Sequence, residues 1–114
     1  MKTLKDTIPG MLSSDWKERL VSEIEQLDIR LYNLEKHMES IGEDSPEYSL
    51  LDAQAKCMTE YLRTLTARAN AFQVEYKLPS IEERVKTFHF EDNTLDPMFW
   101  LFVLFYLSMN KDGD

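Results

Sequence analysis

Gln54, Tyr61 and Arg68 recur every seven positions. Seven residues are close to two helical turns, so on a helix these three side chains form one row. Arg30 and His37 repeat the same spacing earlier in the chain. Arginine, tyrosine and glutamine together supply charge, stacking surface and hydrogen bonds, the groups that hold a small planar anion or an acidic partner. The plainer alternative is that they flank a helix seam and pair with acids such as Asp28 and Glu35 on the facing helix. Catalytic chemistry has little to work with. His37 and His89 lie in different elements, and neither has a second histidine at metal-ligand spacing. No nucleophile motif, glycine-rich phosphate loop or metalloprotease signature is present. Cys57 has no adjacent histidine motif, and acid pairs such as Glu23 and Glu25 or Glu82 and Glu83 read as solvated charge. A non-enzymatic binding protein without cofactor or metal is expected.

Two long helices must position the row. Leu20, Ile24, Leu27, Leu31, Leu34, Met38 and Ile41 step by four and three, the a/d seam of a heptad repeat. Asp15 with Glu18 three residues on makes a capping box, and Gly42 suits the left-handed position after the last turn. A helix is predicted over 16–41. Leu51, Ala55, Met58, Leu62, Leu65, Ala69, Phe72 and Tyr76 form a second seam. Ser45-Pro46 gives its N-cap and first turn, and Pro79 stops it near Lys77 or Leu78. A link as short as 42–45 forces the helices antiparallel. On this spacing the second helix is about 48 Å long, against roughly 34 Å for the diameter of a globule of this size. A hairpin of that length is expected to protrude and to finish its burial against another chain. Gln54, Tyr61 and Arg68 fall at the position flanking the seam, with Arg30 and His37 in the equivalent stripe opposite.

The predicted fold is all-α: a single domain, 1–114, with a coiled-coil-like antiparallel hairpin over 15–78, then a short helix and an apolar C-terminal helix within 79–114. Ser80 and Glu83 form another capping box ahead of Ile81, Val85 and Phe88. Residues 91–94 read as a polar loop. Residues 98–107 are ten apolar residues in succession. Periodicity alone leaves helix and strand open there; Asp96-Pro97 favours a helix. The run is too short to span a membrane and has no charged face for a membrane surface. Phe99, Trp100, Phe102, Val103, Phe105 and Tyr106 are therefore read as an interface with a second copy or a partner, with the chain's own core as the alternative.

Composition narrows the function. Thirteen basic and 21 acidic side chains leave a net charge of −8, which argues against a general nucleic-acid binder. The acidity is uneven: residues 50–77 hold four bases against three acids, whereas residues 15–41 hold seven acids against four bases. An anionic ligand would be sought in the middle of the chain. A single cysteine rules out an internal disulfide framework, and the first twelve residues lack the apolar stretch of a secretory signal, so an intracellular, reducing compartment is expected.

The string Asp15-Trp16-Lys17-Glu18-Arg19-Leu20-Val21, with Gln26-Leu27 and Ile29-Arg30, resembles the first helix of small phage proteins related to a product of a crAss-like gut bacteriophage. Leu50-Leu51, Gln54-Ala55-Lys56, Met58, Glu60-Tyr61-Leu62, Leu65 and Arg68-Ala69 resemble their second helix. The likeness covers roughly 15–70; this chain departs from it in its short inter-helix loop and in residues 78–114. Tyr61-Leu62, Leu65 and Arg68-Ala69 also resemble phage sponges for cyclic oligonucleotides. The resemblance implies a phage protein acting in the cytoplasm of an infected bacterium. It would be a homo-oligomer that counteracts host defence, by sequestering a cyclic nucleotide signal or by occupying a defence protein. The alternative is a structural or regulatory phage adaptor working through helix–helix contacts.

Overall fold

The computed structural model describes residues 1–86. The chain divides into two units, Met1–Pro79 and Ser80–Asp114, each treated by itself. The expectations for Phe88, His89, the loop at 91–94, and the interface residues Phe99, Trp100, Phe102, Val103, Phe105 and Tyr106 lie outside the described residues. Among the described residues every regular element is helical, and no helix is long and apolar enough to cross a membrane.

In the first unit a 3₁₀ turn (Lys5–Thr7) leads into a four-residue helix α1 (Ile8–Met11), then α2 (Trp16–Ile41) and α3 (Tyr48–Ala71). At 1.5 Å per residue, α2 and α3 are about 39 and 36 Å long. They pack on each other along the expected seam. Leu20, Ile24, Leu27, Leu31 and Met38 of α2 are buried, as are Ala55, Leu62, Leu65 and Ala69 of α3. Thr59 and Thr66 share the buried face of α3. Each donates its hydroxyl back to a carbonyl of its own helix, Thr59 to Ala55 at 2.8 Å and Thr66 to Arg63 at 2.9 Å, so neither is left unsatisfied.

The helix ends show local competition. Asp15 caps α2 through Lys17 N at 3.0 Å. Glu18 does not close the box directly: Ser13 Oγ takes the Asp15 N–H at 3.1 Å and donates to Glu18. Gly42 follows α2 at φ +77°, where a side chain would be strained. The first turn after Pro46 is not yet α-helical, because Tyr48 N bonds Ser45 O instead. The connection is thus residues 42–47, two longer than expected.

The second helix ends at Ala71, six or seven residues before its expected stop. Gln73 takes φ +57°, Val74 N bonds Ala69 O at 2.8 Å, and Gln73 N bonds Asn70 O at 3.2 Å. This is a Schellman termination with glutamine where glycine is usual. Residues 74–78 then have no regular element, and burial alternates: Val74 and Tyr76 are half-buried and Leu78 is buried, while Glu75 and Lys77 are exposed. Phe72 leaves the seam, 62% exposed, with its ring edge-on to Trp16 at 5.5 Å.

Ile29 lies off the a/d seam, on the opposite face of α2, where the heptad pattern alone puts solvent, yet it is only 3% exposed. Ser22, Glu25 and Ile29 share one face of α2, and residues 1–12 pack along that side. Lys2 Nζ reaches Glu25 at 3.0 Å, and Gly10 lies so close to Ser22 that a Cβ there would sit 1.7 Å from Ser22 Oγ. The N-terminal arm is a third layer, and α2 is covered on two sides.

The second unit contributes α4 (Ile81–Lys86) at the place expected for a short helix. Arg84 N bonds Ser80 O at 3.0 Å and Arg84 Nε reaches Ser80 Oγ at 2.9 Å, which fixes the helix start.

Candidate functional site

The antiparallel packing decides which residues meet along the flank of the hairpin. Tyr61 donates its hydroxyl to Glu23 across the two helices. His37 Nε2 lies 4.0 Å from Glu47 at the loop end. Glu23, Arg30 and His37 are heptad-spaced on α2, while Tyr61 and Gln54 on α3, and Glu47 just before it, run the other way. Arg30, midway between Glu23 and His37, therefore lies level with Gln54. Arg68 is one heptad, about 10.5 Å, beyond Tyr61 toward the open end. The structure thus brings Arg30, His37, Gln54, Tyr61 and Arg68 onto one exposed flank, with Glu23 and Glu47 among them.

Several bases elsewhere on the surface are paired with acids, although Lys5, Lys17 and Lys77, like Arg30 and Arg68, have no carboxylate partner among the described residues. Lys56 pairs with Asp52, Arg63 with Glu60, Lys36 with Glu39 and Lys2 with Glu25. Arg19 donates to the Ser13 carbonyl at 2.8 Å. Among the described residues Arg30 and Arg68 have no carboxylate within ion-pair distance. The polar side chains beside them are lightly engaged: Gln54 Nε2 makes a 3.8 Å contact with the Met58 sulfur, and Tyr61 is 48% exposed. The Tyr61 phenol is pushed above its ordinary range, chiefly because its hydroxyl is bonded to the Glu23 carboxylate, with the Arg68 guanidinium opposing. Arg68 is therefore close enough to act on Tyr61 electrostatically. Two guanidiniums, an amide and a half-open phenol can bind an anionic, planar group; one carboxylate in their midst opposes bare anions.

Other features carry less chemistry. Cys57 is an exposed free thiol on the outer face of α3. No group of three or more His, Cys, Asp or Glu among the described residues could hold a metal ion. The cleft between the arm and α2 mixes Lys2 and Lys17 with Asp6, Glu18 and Glu25, which leaves it without a preferred ligand charge. Sequence reasoning missed Glu23, the acid in the centre of the flank; its heptad spacing to Arg30 and His37 was the available signal. It also missed an exposed apolar row on the arm, Leu4, Ile8 and Leu12, at 39, 50 and 80% exposure. The i, i+4, i+8 spacing of these three was visible, but nothing in it tells an outward face from an inward one.

The family profile of Sequestin matches residues 14–71. No curated protein and no solved structure matches the chain. The matched span takes in α2, the loop and α3 up to the last helical residue, so what this family has in common is the hairpin that carries the flank. It covers more than half of the 114 residues, and the chain belongs to the Sequestin family.

Proposed function

We propose that this member of the Sequestin family is a non-catalytic protein of phage origin that sequesters a nucleotide signal of host defence along the flank of its hairpin. It would act in the cytoplasm of the infected bacterium. The observation that carries the reading is that Arg30 and Arg68, which have no carboxylate partner among the described residues, share one flank with Gln54 and Tyr61 in a chain whose net charge is −8. In so acidic a protein, two guanidiniums on one stripe are sites where an external anion gains a charge-assisted bond. The family name, which denotes sequestration, agrees with a bound and unaltered ligand.

The −8 charge works against nucleotide binding, so the reading includes a homo-oligomer in which copies of the flank converge on one ligand. Residues 98–107 are the proposed contact, and removing 98–114 is expected to lower the mass in solution while the hairpin keeps its helical signal. The test of binding is a thermal-shift panel of cyclic di- and trinucleotides and cyclic ADP-ribose isomers. A ligand that binds only the folded state raises the melting temperature. Arg68→Ala is expected to abolish that rise, and Arg63→Ala, on the outer face and paired with Glu60, to preserve it. Absence of a shift with every nucleotide would overturn the reading. A protein partner is the second reading, and the exposed apolar row of Leu4, Ile8 and Leu12 favours it.

A further inference from the structure

A site for bare phosphate would not place a carboxylate at its centre. Glu23 is half-buried between the helices, and Tyr61 fixes it by donating to Oε1. An ionised carboxylate is acceptor-only and has about four lone-pair positions over its two oxygens. With one taken by Tyr61, and no other hydrogen bond to Glu23 among the described residues, Oε2 and the remaining lone pair of Oε1 can accept from a ligand. We infer that Glu23 determines the specificity of the flank by accepting the adjacent N–H donors of a guanine-type base, while Arg68 holds a phosphate of the same nucleotide. The inference rests on the nucleotide reading above and adds which base is read and by which residue.

The choice of base follows from hydrogen-bond polarity. Guanine presents two neighbouring donors, the ring N1–H and the exocyclic amino group, and these match the two oxygens of one carboxylate. Adenine and cytosine place a ring-nitrogen lone pair beside their amino group, and uracil sets carbonyl oxygens on both sides of its single N–H. Each of these brings a lone pair against the carboxylate, and an acceptor facing an acceptor loses the bond and adds repulsion. Tyr61 contributes twice: its hydroxyl holds Glu23 in one orientation, and its half-exposed ring offers a face on which the base can stack. Arg68 lies one heptad, about 10.5 Å, from Tyr61, a separation comparable to that between the far edge of a purine and its own phosphate.

The experiment is calorimetric titration of the full chain with cyclic di-GMP, cyclic di-AMP and inorganic pyrophosphate. The variants are Glu23→Gln, Glu23→Asp and Arg68→Ala, each checked by circular dichroism. A matched bidentate base contact discriminates strongly, so the wild type is expected to bind cyclic di-GMP about tenfold or more tighter than cyclic di-AMP. Glu23→Gln is expected to erase that ratio without weakening pyrophosphate. Glu23→Asp, which keeps the charge but shortens the reach, is expected to reduce it. Arg68→Ala is expected to weaken both nucleotides equally. Equal affinity of the wild type for the two nucleotides, or a preference for the adenine compound, would overturn this inference while leaving the nucleotide reading intact. So would a Glu23→Gln protein that binds all three probes more tightly by the same factor, because Glu23 would then merely repel anions. If the wild type binds neither nucleotide, this inference falls, while the nucleotide reading is decided by the wider thermal-shift panel.

Discussion

Gly10→Ala probes the N-terminal arm where its contact with α2 is tightest. A Cβ built on Gly10 would lie 1.7 Å from Ser22 Oγ, 2.9 Å from Ser22 Cβ and 3.5 Å from the Glu18 carbonyl oxygen. Rotating the Ser22 side chain removes the first clash. It leaves the second, because Cβ is fixed to the helix backbone. Carbon atoms pack best at about 3.5–4.0 Å, so the arm must retreat from α2 by roughly half an ångström to one ångström. Overpacking of that kind costs about 1–3 kcal/mol, which in a small domain lowers the melting temperature by about 5–20 °C. The partner change is Ser22→Gly, which deletes both clashing atoms and by itself costs about 1 kcal/mol as a glycine inside a helix. Urea and thermal melts of the four proteins form a double-mutant cycle, with hydrogen exchange at 4–12 reporting on the arm. The double variant is expected to be more stable than the two single losses predict, by about 1–2 kcal/mol. Strict additivity, or a Gly10→Ala protein as stable as the wild type, would refute the close approach.

Three further outcomes follow from burial and charge. Ile29→Ala is expected to cost about 2–5 kcal/mol, as are Leu31→Ala and Leu65→Ala, while Leu50→Ala, 73% exposed, is expected to change stability by less than about 0.5 kcal/mol in urea melts. Tyr61 and Tyr76 both ionise above their ordinary value, Tyr61 through its bond to Glu23 and Tyr76 through burial. A raised tyrosine contributes stability below its unfolded value of about 10 that is lost as pH rises through the folded one. Melting temperature should therefore fall in alkali, and Glu23→Gln should bring one phenol back toward its usual range in an ultraviolet titration. Asp6 is held below the usual carboxylate range by hydrogen bonds from the Thr3 backbone and hydroxyl, each at 2.9 Å. A lowered acid gives stability above its unfolded value that is lost as pH falls through the folded one. Acid should accordingly loosen residues 3–7 before the hairpin melts, and Asp6→Asn should remove that step in hydrogen exchange.

The hairpin was legible because its apolar residues hold one phase for six and seven steps, and few alternative structures bury such a pattern. Its second end was not. Phe72 and Tyr76 continue the helical spacing, yet Val74, Tyr76 and Leu78 also alternate, and the Gln73 turn ends the helix before them. Glutamine at positive φ has no sequence signal comparable to glycine. The arm escaped notice because the residue that seats it, Gly10, acts by lacking a side chain. The flank was legible as a row of residue types, since heptad spacing fixes who shares a stripe. Its electrostatics were not, because the pairing of Tyr61 with Glu23, and the lack of a carboxylate partner for Arg30 and Arg68 among the described residues, depend on the register between the helices.

Sequestration is tested most directly by uptake and release. The full chain is mixed with a slight deficit of cyclic di- and trinucleotides and cyclic ADP-ribose isomers and passed through a filter that retains protein. The retained fraction is then heat-denatured and its nucleotides are separated by chromatography. The account predicts that one nucleotide disappears from the filtrate and returns chemically unchanged on denaturation, and that Arg68→Ala leaves it in the filtrate. A new product peak would make the protein an enzyme, and a filtrate that keeps every nucleotide would remove the flank as a ligand site; either contradicts the account.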